Sequence, residues 1–346
     1  MVTSLSETTI DPVRWGVLGC ADIAIRKVIP AMMGSAVSRV VAVASRSEDK
    51  AAATARGLGI PKFHGSYQGL LDDPEIEAVY IPLPNHLHAE WTMAAAAAGK
   101  HVLCEKPLAL SSAEARSIIE ACDRAGVKLM EAFMYRLHPL WSQVRKMVSD
   151  GGIGELVAIQ SFFSYRNVDS ADIRNIAAFG GGALMDIGCY AVNVARMMFG
   201  AEPSGVKGSI RRDDAFATDV LTSAILDFDG RHATFTCSTQ LESDQRVHLT
   251  GTTGRILIEI PFNIPPDLPT RILVFAGGDP PAFPNVEVHD VEAGDQYRIE
   301  TDAFSQSIRD GSPVPTRPLD AIYNLEVMER IVADAGVDPA RQPGTG

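Results

Sequence analysis

The chain has 346 residues, 46% hydrophobic and 21% charged, so it is too apolar for a disordered protein and long enough for two cores. Its 31 basic and 43 acidic residues leave a formal charge of −12, which argues against a general binder of nucleic acid or anionic membrane. No run of about 18 apolar residues predicts a membrane span, and the first dozen residues lack the basic start and apolar stretch of a secretory signal.

In chain order, the first 135 residues alternate between strand and helix. Val13–Leu18 is a short apolar run, followed by a helical pattern through Met33. Residues 39–44 (RVVAVA) are β-branched and precede an Ala-rich helix at 48–56. Strands follow at Ala78–Ile81, 101–104 and 127–130, with helices at 89–98 and 113–125 between them. Apolar strands without alternation, separated by helices, imply a parallel sheet covered on both faces. That is a doubly wound α/β domain over residues 1–135. Beyond it, 155–165 reads as a long strand and 182–199 as an apolar helix. Strand-like runs at 220–228, 233–239, 246–250, 255–260 and 271–275 predict an antiparallel sheet with one face buried. The proline-rich stretch 261–269 is expected to break its ladder. Helices at 301–310 and 319–333 close a second domain over 136–335, and 336–346 is expected to be a loose tail. The five cysteines are scattered, with no CxxC pair. They predict buried free thiols in a reducing cytoplasm and no structural metal site.

The first strand runs into Gly19-Cys20-Ala21-Asp22-Ile23-Ala24, which has the spacing of GxGxxG with alanine at the second and third positions. Small residues there permit a tight turn and close approach of a pyrophosphate, and the helix N-terminus offers N–H groups to it. A tight turn with no ligand would read the same way. The second strand ends in Ser45-Arg46-Ser47-Glu48-Asp49-Lys50. NAD sites place a carboxylate there for the ribose 2′-hydroxyl, whereas Arg46, with Ser45 and Lys50, suits a 2′-phosphate. NADP is therefore favoured, while Glu48 or Asp49 keeps NAD open. The plain alternative makes Ser45 or Ser47 a helix N-cap and Arg46 a solvated side chain.

Cys104-Glu105-Lys106-Pro107 follows a strand of the parallel sheet, where side chains face the ligand crevice. Lys106 precedes a proline, so its backbone is extended. Its ammonium would stabilise an alkoxide and lower the pKa of a neighbouring acid. In GGGALMDIGCY (180–190), Asp186 and Tyr190 stand four apart, on one face of a helix. A free tyrosine titrates near ~10, and a nearby lysine is expected to bring it toward the range for proton exchange with a hydroxyl. Asp186 would accept from a substrate hydroxyl or orient the lysine; alternatively it only favours the helix dipole.

Together these strings resemble the Gfo/Idh/MocA oxidoreductase family from Gly16 to about residue 335. The carriers are GVLGCADIA (16–24), VYIPLPNHLHAEWTMAAAAAGKHVLCEKPLA (79–109), MEAFMYRLHP (130–139), IGE (153–155) and GGGALMDIGCYAVN (180–193). The resemblance implies a Rossmann α/β domain joined to an α+β domain with a large open, mostly antiparallel sheet. That sheet often forms an oligomer interface, so a homodimer or homotetramer is expected. It implies Lys106, Asp186 and Tyr190 as the catalytic set. The position of Tyr190 usually holds histidine. Tyrosine there is similar to glucose–fructose oxidoreductases, dimeric dihydrodiol dehydrogenases, NADP-dependent xylose dehydrogenases and some ketosugar reductases. The resemblance further implies that Pro82, Leu83, Asn85 and His88 line the nicotinamide ribose, with Glu105 beside it, and that Tyr135 and Arg136 sit at the domain junction. The expected activity is hydride transfer between NADP, or NAD, and a hydroxyl or carbonyl carbon of a sugar or cyclic polyol. An NADP-dependent aldose dehydrogenase leads. The alternatives are a ketosugar reductase, a trans-dihydrodiol dehydrogenase, a bifunctional oxidoreductase that retains its cofactor, and a non-catalytic dinucleotide sensor. Substrate specificity is expected in the second domain and in loops such as 167–179.

Overall fold

Six strands, β1 (Val13–Leu18), β2 (Ser38–Ala44), β3 (Lys62–His64), β4 (Ala78–Ile81), β5 (His101–Glu105) and β6 (Leu129–Ala132), pair in the order β3-β2-β1-β4-β5-β6. Every pairing is parallel. The computed structural model describes residues 11–277 and 285–336, so the leader expectation for residues 1–10 and the tail at 337–346 lie outside the described residues. Strand β4 is buried at all four positions, because helices cover both faces of the sheet. Ser47 and Ser111 cap the helices Glu48–Leu58 and Ser112–Ala125, which end on left-handed Gly59 and Gly126. The chain order reverses between β1 and β4, and a crevice opens there at the carboxyl ends of the strands. Strand β3 escapes sequence reading because three half-exposed residues carry no periodic signal.

Eight further strands form the second sheet: β7 (Leu156–Arg166), β8 (Gly205–Arg212), β9 (Asp219–Phe228), β10 (Arg231–Ser238), β11 (Gln240–Gly251), β12 (Gly254–Ile258), β13 (Thr270–Ala276) and β14 (Val286–Val291). Their order is β14-β13-β12-β11-β7-β10-β9-β8. The expected antiparallel series is corrected at one place, since β7 and β10 run parallel. A parallel pair needs a long crossover, and the helix Cys189–Phe199 with the β8–β9 hairpin supplies it. The proline-rich stretch does not break the ladder either. It connects β12 and β13, which pair from Gly254↔Ala276 to Ile258↔Ile272, and it tucks Phe262 and Ile264 into the core. One face of this sheet packs under the helices Cys189–Phe199 and Leu319–Asp334. The other is open along a channel of about 480 Å³ lined by residues such as Phe162, Ile225 and Arg246.

Linear order placed the helix Gln296–Asp310 in the second domain, but it packs on the first. Trp15 and Phe304 lie 5.7 Å apart, and the Trp15 Nε1 donates to Ser305 Oγ at 3.1 Å. Arg309 donates to both Glu77 oxygens at 2.8 Å. The chain thus returns to its first core, and the boundary at 135/136 is crossed by this helix. Among the described residues, no helix is long and apolar enough to cross a membrane.

Candidate active site

The first turn after β1 is built for close approach. Gly19 holds φ +123°, and a Cβ there would fall 2.9 Å from Leu83 Cδ2. The first intrahelical bond runs from Ile25 N to Ala21 O, so the amides of Asp22, Ile23 and Ala24 precede the ladder. These amides and the glycine cradle fit a pyrophosphate. Cys20 is buried beneath them, with its Sγ 3.9 Å from Ala44 O.

At the end of β2, Ser45 Oγ accepts from Ser47 N, and Ser47 Oγ caps the next helix by accepting from Lys50 N at 3.3 Å. The capping alternative therefore holds for Ser47, and these contacts explain Lys50 only through its backbone. Arg46 is exposed and faces a cleft of about 460 Å³, shared with Ser66, Tyr67, Leu87, Glu90 and Trp91. Tyr67 and Trp91 meet edge to face at 4.9 Å. A carboxylate is also near: a Cβ on Gly65 would lie 3.4 Å from Glu48 Oε2.

The loop after β5 is clamped from three sides. Tyr80 OH donates to Glu105 Oε1 at 2.6 Å, Leu108 N donates to Glu131 Oε1 at 2.8 Å, and His88 Nδ1 lies 2.8 Å from Pro107 O. His88 is fully buried, and its Nε2 lies 2.7 Å from Leu83 O. Burial pushes its pKa down to about 4, against the pull of the Pro107 and Leu83 carbonyls. Both ring nitrogens face backbone carbonyls, so the ring ties the Pro82-Leu83 segment to the lysine loop and no ring nitrogen is free for a ligand. Asn85 also turns to protein, donating from Nδ2 to Gly180 O at 2.9 Å and so joining the two domains. Burial raises Glu105, against the pull of the Lys106 ammonium.

Burial also pushes Glu131 up to about 7, from an ordinary value of 4.5. The folded state therefore holds this proton more tightly, and its contribution to stability is present below 4.5 and lost as pH rises through 7. Relative to Glu131→Gln, the wild-type protein is expected to lose about 2–3 kcal/mol of unfolding free energy between about pH 5 and pH 8. Denaturant melts of both proteins across that range check this, and parallel curves would contradict it.

Lys106 and the helix from the second domain meet over the crevice. Asp219 starts that helix, its Oδ2 accepting from Leu184 N at 2.7 Å, and Gly182 (φ +123°) leaves room for the Asp219 carboxylate. Asp186 lies in a widened π turn, Leu184–Gly188, and Tyr190 in the α-helix that continues it. Lys106 Nζ donates to the Asp186 carbonyl at 2.8 Å and to its Oδ1 at 3.2 Å, and lies 4.9 Å from the centre of the Tyr190 ring. Two residues that sequence reasoning missed complete the cluster. Tyr165 OH donates to Asp186 Oδ2 at 2.5 Å, and Arg174 Nε lies 3.3 Å from the same oxygen. Burial opposes the Asp186 charge, but Lys106 and Arg174 overcome it and hold the carboxyl below its usual range. Asp186 in turn raises Lys106 against its own burial.

Tyr190 departs from expectation. Burial pushes its phenol well above the ordinary value. The ammonium lies over the ring face, not at the hydroxyl, and directs two of its three hydrogens to Asp186, so it does not bring the phenol toward neutrality. The ring is packed by Phe133, Tyr135, Phe163 and Phe262 at 5.1–5.8 Å, and its OH donates to the Met134 sulfur at 3.7 Å. Tyr135 donates to Asn193 Oδ1 at 2.6 Å, beside an ion-pair network of Arg136, Asp320 and Arg196. Burial raises the Cys104 and Cys189 thiols, which makes them poor nucleophiles.

Residues 13–133 match the family model described as oxidoreductase family, NAD-binding Rossmann fold, and residues 141–257 match the GFO/IDH/MocA C-terminal domain. The chain is 46% identical to an uncharacterised oxidoreductase of Rhizobium meliloti, over 94% of this chain and 98% of that one. It is 39% identical to a D-xylose 1-dehydrogenase (NADP+) of Haloferax volcanii, over 92% and 95%. Among solved structures it resembles a 3-ketoreductase of Actinomadura kijaniata in complex with NADP and TDP-benzene, with a TM-score of 0.88, 32% identity and coverage of 94% and 98%. Further structures of that reductase carry a tyrosine-to-phenylalanine or a lysine-to-alanine replacement.

Proposed function

The chain belongs to the Gfo/Idh/MocA family of NAD(P)-dependent sugar oxidoreductases, and on that premise we propose that it is an NADP-preferring aldose dehydrogenase. The reaction is oxidation of the aldose C1 hydroxyl to the lactone, with one hydride passed to NADP⁺ and one proton released. The observation that carries this reading is the meeting of Lys106 and Tyr190, from different domains, just past the carboxyl end of β5. The two positions replaced in the Actinomadura structures are separated by the same number of residues as Lys106 and Tyr190, which supports the assignment. The identity to the xylose dehydrogenase favours a free aldose, while the TM-score to the 3-ketoreductase favours a ketosugar as the second reading.

The bound dinucleotide supplies the carbon that takes or gives the hydride. Gly19 to Ala24 hold the pyrophosphate, and Arg46 grips the 2′-phosphate with Tyr67 and Trp91 beside it. Tyr190, kept protonated by burial, donates a hydrogen bond to the reacting oxygen; in the oxidation the substrate's hydroxyl proton passes to water, and when the carbonyl is the substrate the Tyr190 proton passes to that oxygen and is replaced from water. Lys106 stabilises negative charge on that oxygen, and Asp186 fixes the ammonium in place. Lodging both reactants between the two domains sets the reacting distance.

Fluorescence titration with NADPH and NADH, followed by an aldose, ketosugar and diol screen with the tighter cofactor, tests this reading. Tight binding with no turnover on any of them would leave a sensor instead. Arg46→Ala is expected to weaken NADPH by about tenfold or more while sparing NADH, the scale of a lost charge-assisted hydrogen bond. Equal effects on both cofactors would remove Arg46 from the 2′-phosphate site.

A further inference from the structure

We propose that Arg174 is a specificity-determining residue that binds the oxygen on the carbon next to the reacting one, so that the site selects vicinal hydroxyls. This rests on the oxidoreductase reading above and adds the substrate feature that the site recognises.

Three observations carry it. The first is position. Lys106 sits on Oδ1 of Asp186 and Arg174 on Oδ2. Two cations spaced by one carboxylate suit two oxygens on adjacent carbons. With Lys106 on the reacting oxygen, Arg174 falls to its neighbour.

The second is the guanidinium itself. Nε turns to Asp186 and Nη1 to Asp172 Oδ1, both at 3.3 Å. Among the described residues Nη2 has no hydrogen-bond partner, and the side chain is 44% exposed beside an Asp186 that is only 16% exposed. The free edge of a rigid, always charged fork therefore lies at the mouth of the site, where a substrate oxygen can accept from it.

The third is that the residue is built into place. Its N donates to the Asp172 side chain and its O accepts from Gly182 N, both at 2.9 Å. A Cβ on Gly181 would collide with that same carbonyl, which accounts for the glycine run just before the Asp186 turn. Asn175 ties the loop internally to Asp169 O at 2.8 Å. Phe179 stacks on His86 of the first domain at 4.3 Å, and Gly180 O accepts from Asn85. The loop is thus fastened on both sides of the crevice, with Arg174 facing the lysine loop.

The test compares D-xylose with 2-deoxy-D-xylose, in turnover with NADP⁺ and in affinity by equilibrium dialysis of the NADP-loaded protein. The wild-type protein is expected to prefer D-xylose by about 30-fold or more, the range of a hydrogen bond to a charged group. Arg174→Ala is expected to bring the preference below about fivefold, and Arg174→Lys to leave it low, because a point charge lacks the fork. Melting curves confirm that the variants fold. An unchanged preference in Arg174→Ala, or full rescue by lysine, would overturn the inference, as would a wild-type protein that binds neither sugar. Preserved binding preference without turnover would overturn the dehydrogenase reading and leave Arg174 as assigned.

Discussion

Lys106→Ala is expected to lower turnover by at least ~10²-fold while leaving NADPH affinity unchanged. The side chain makes its contacts with Asp186 and the Tyr190 ring, not with the Gly19 turn or the Arg46 cleft. In the proposed mechanism its removal takes away the charge assigned to the reacting oxygen and spares the surfaces assigned to the dinucleotide. The fold should survive, because Asp186 keeps Tyr165 and Arg174 as partners and no buried carboxylate is left alone. Steady-state rates beside a NADPH titration check both halves. Unchanged turnover would take Lys106 out of the mechanism, and lost NADPH binding would make it a cofactor residue.

Tyr190→Phe should cost turnover on the scale of general acid–base help, ~10²–10⁴-fold, with stability changed by less than about 1 kcal/mol. The reason lies in how the ring is held. Four aromatic rings pack it, and among the described residues its hydroxyl has only the Met134 sulfur, a weak acceptor at 3.7 Å. Phenylalanine keeps the packing and removes only the hydroxyl that the proposed mechanism uses. Tyr190→Ala would confuse the matter by opening a cavity worth about 3–5 kcal/mol. Since burial keeps the phenol protonated, the loss should be the same from about pH 6 to pH 9. Wild-type rates in Tyr190→Phe, or a loss that appears only at one end of that range, would contradict the assignment.

The parts legible in sequence are the parts fixed locally. The Gly19 turn and the Glu105-Lys106-Pro107 loop sit at strand ends, where a short string sets the backbone and the parallel sheet sets the direction. Tyr190 was legible as a residue but not as an environment. The rings around it come from Phe133 after β6, Phe163 on β7 and Phe262 in the β12–β13 connection, segments that only the tertiary fold brings together. Burial by that cage outweighs the lysine, so the expected fall in its pKa does not occur. His88 is placed beside the cofactor by the resemblance alone, and nothing at its position in the sequence shows that two backbone carbonyls flank the ring. Tyr165 had a usable signal, since alternation along β7 puts it on the same face as buried Phe163. For Arg174 the sequence points only to the loop 167–179, because a segment without periodicity does not single out a side chain; its contacts with Asp172 and Gly182 locate it. The parallel β7–β10 pair is illegible for a related reason: the crossover that sets its direction spans the helix Cys189–Phe199 and a hairpin.

The most direct test of a hydride-transfer site assembled from Lys106 and Tyr190 follows an isotope. D-xylose deuterated at C1 is incubated with NADP⁺ and the protein, and the recovered cofactor is analysed by mass spectrometry. Deuterium should appear in NADPH made by the wild-type protein and fall by at least ~10²-fold in Lys106→Ala and in Tyr190→Phe. Cofactor that stays unlabelled while NADP⁺ is bound, or equal labelling by all three proteins, would contradict the account.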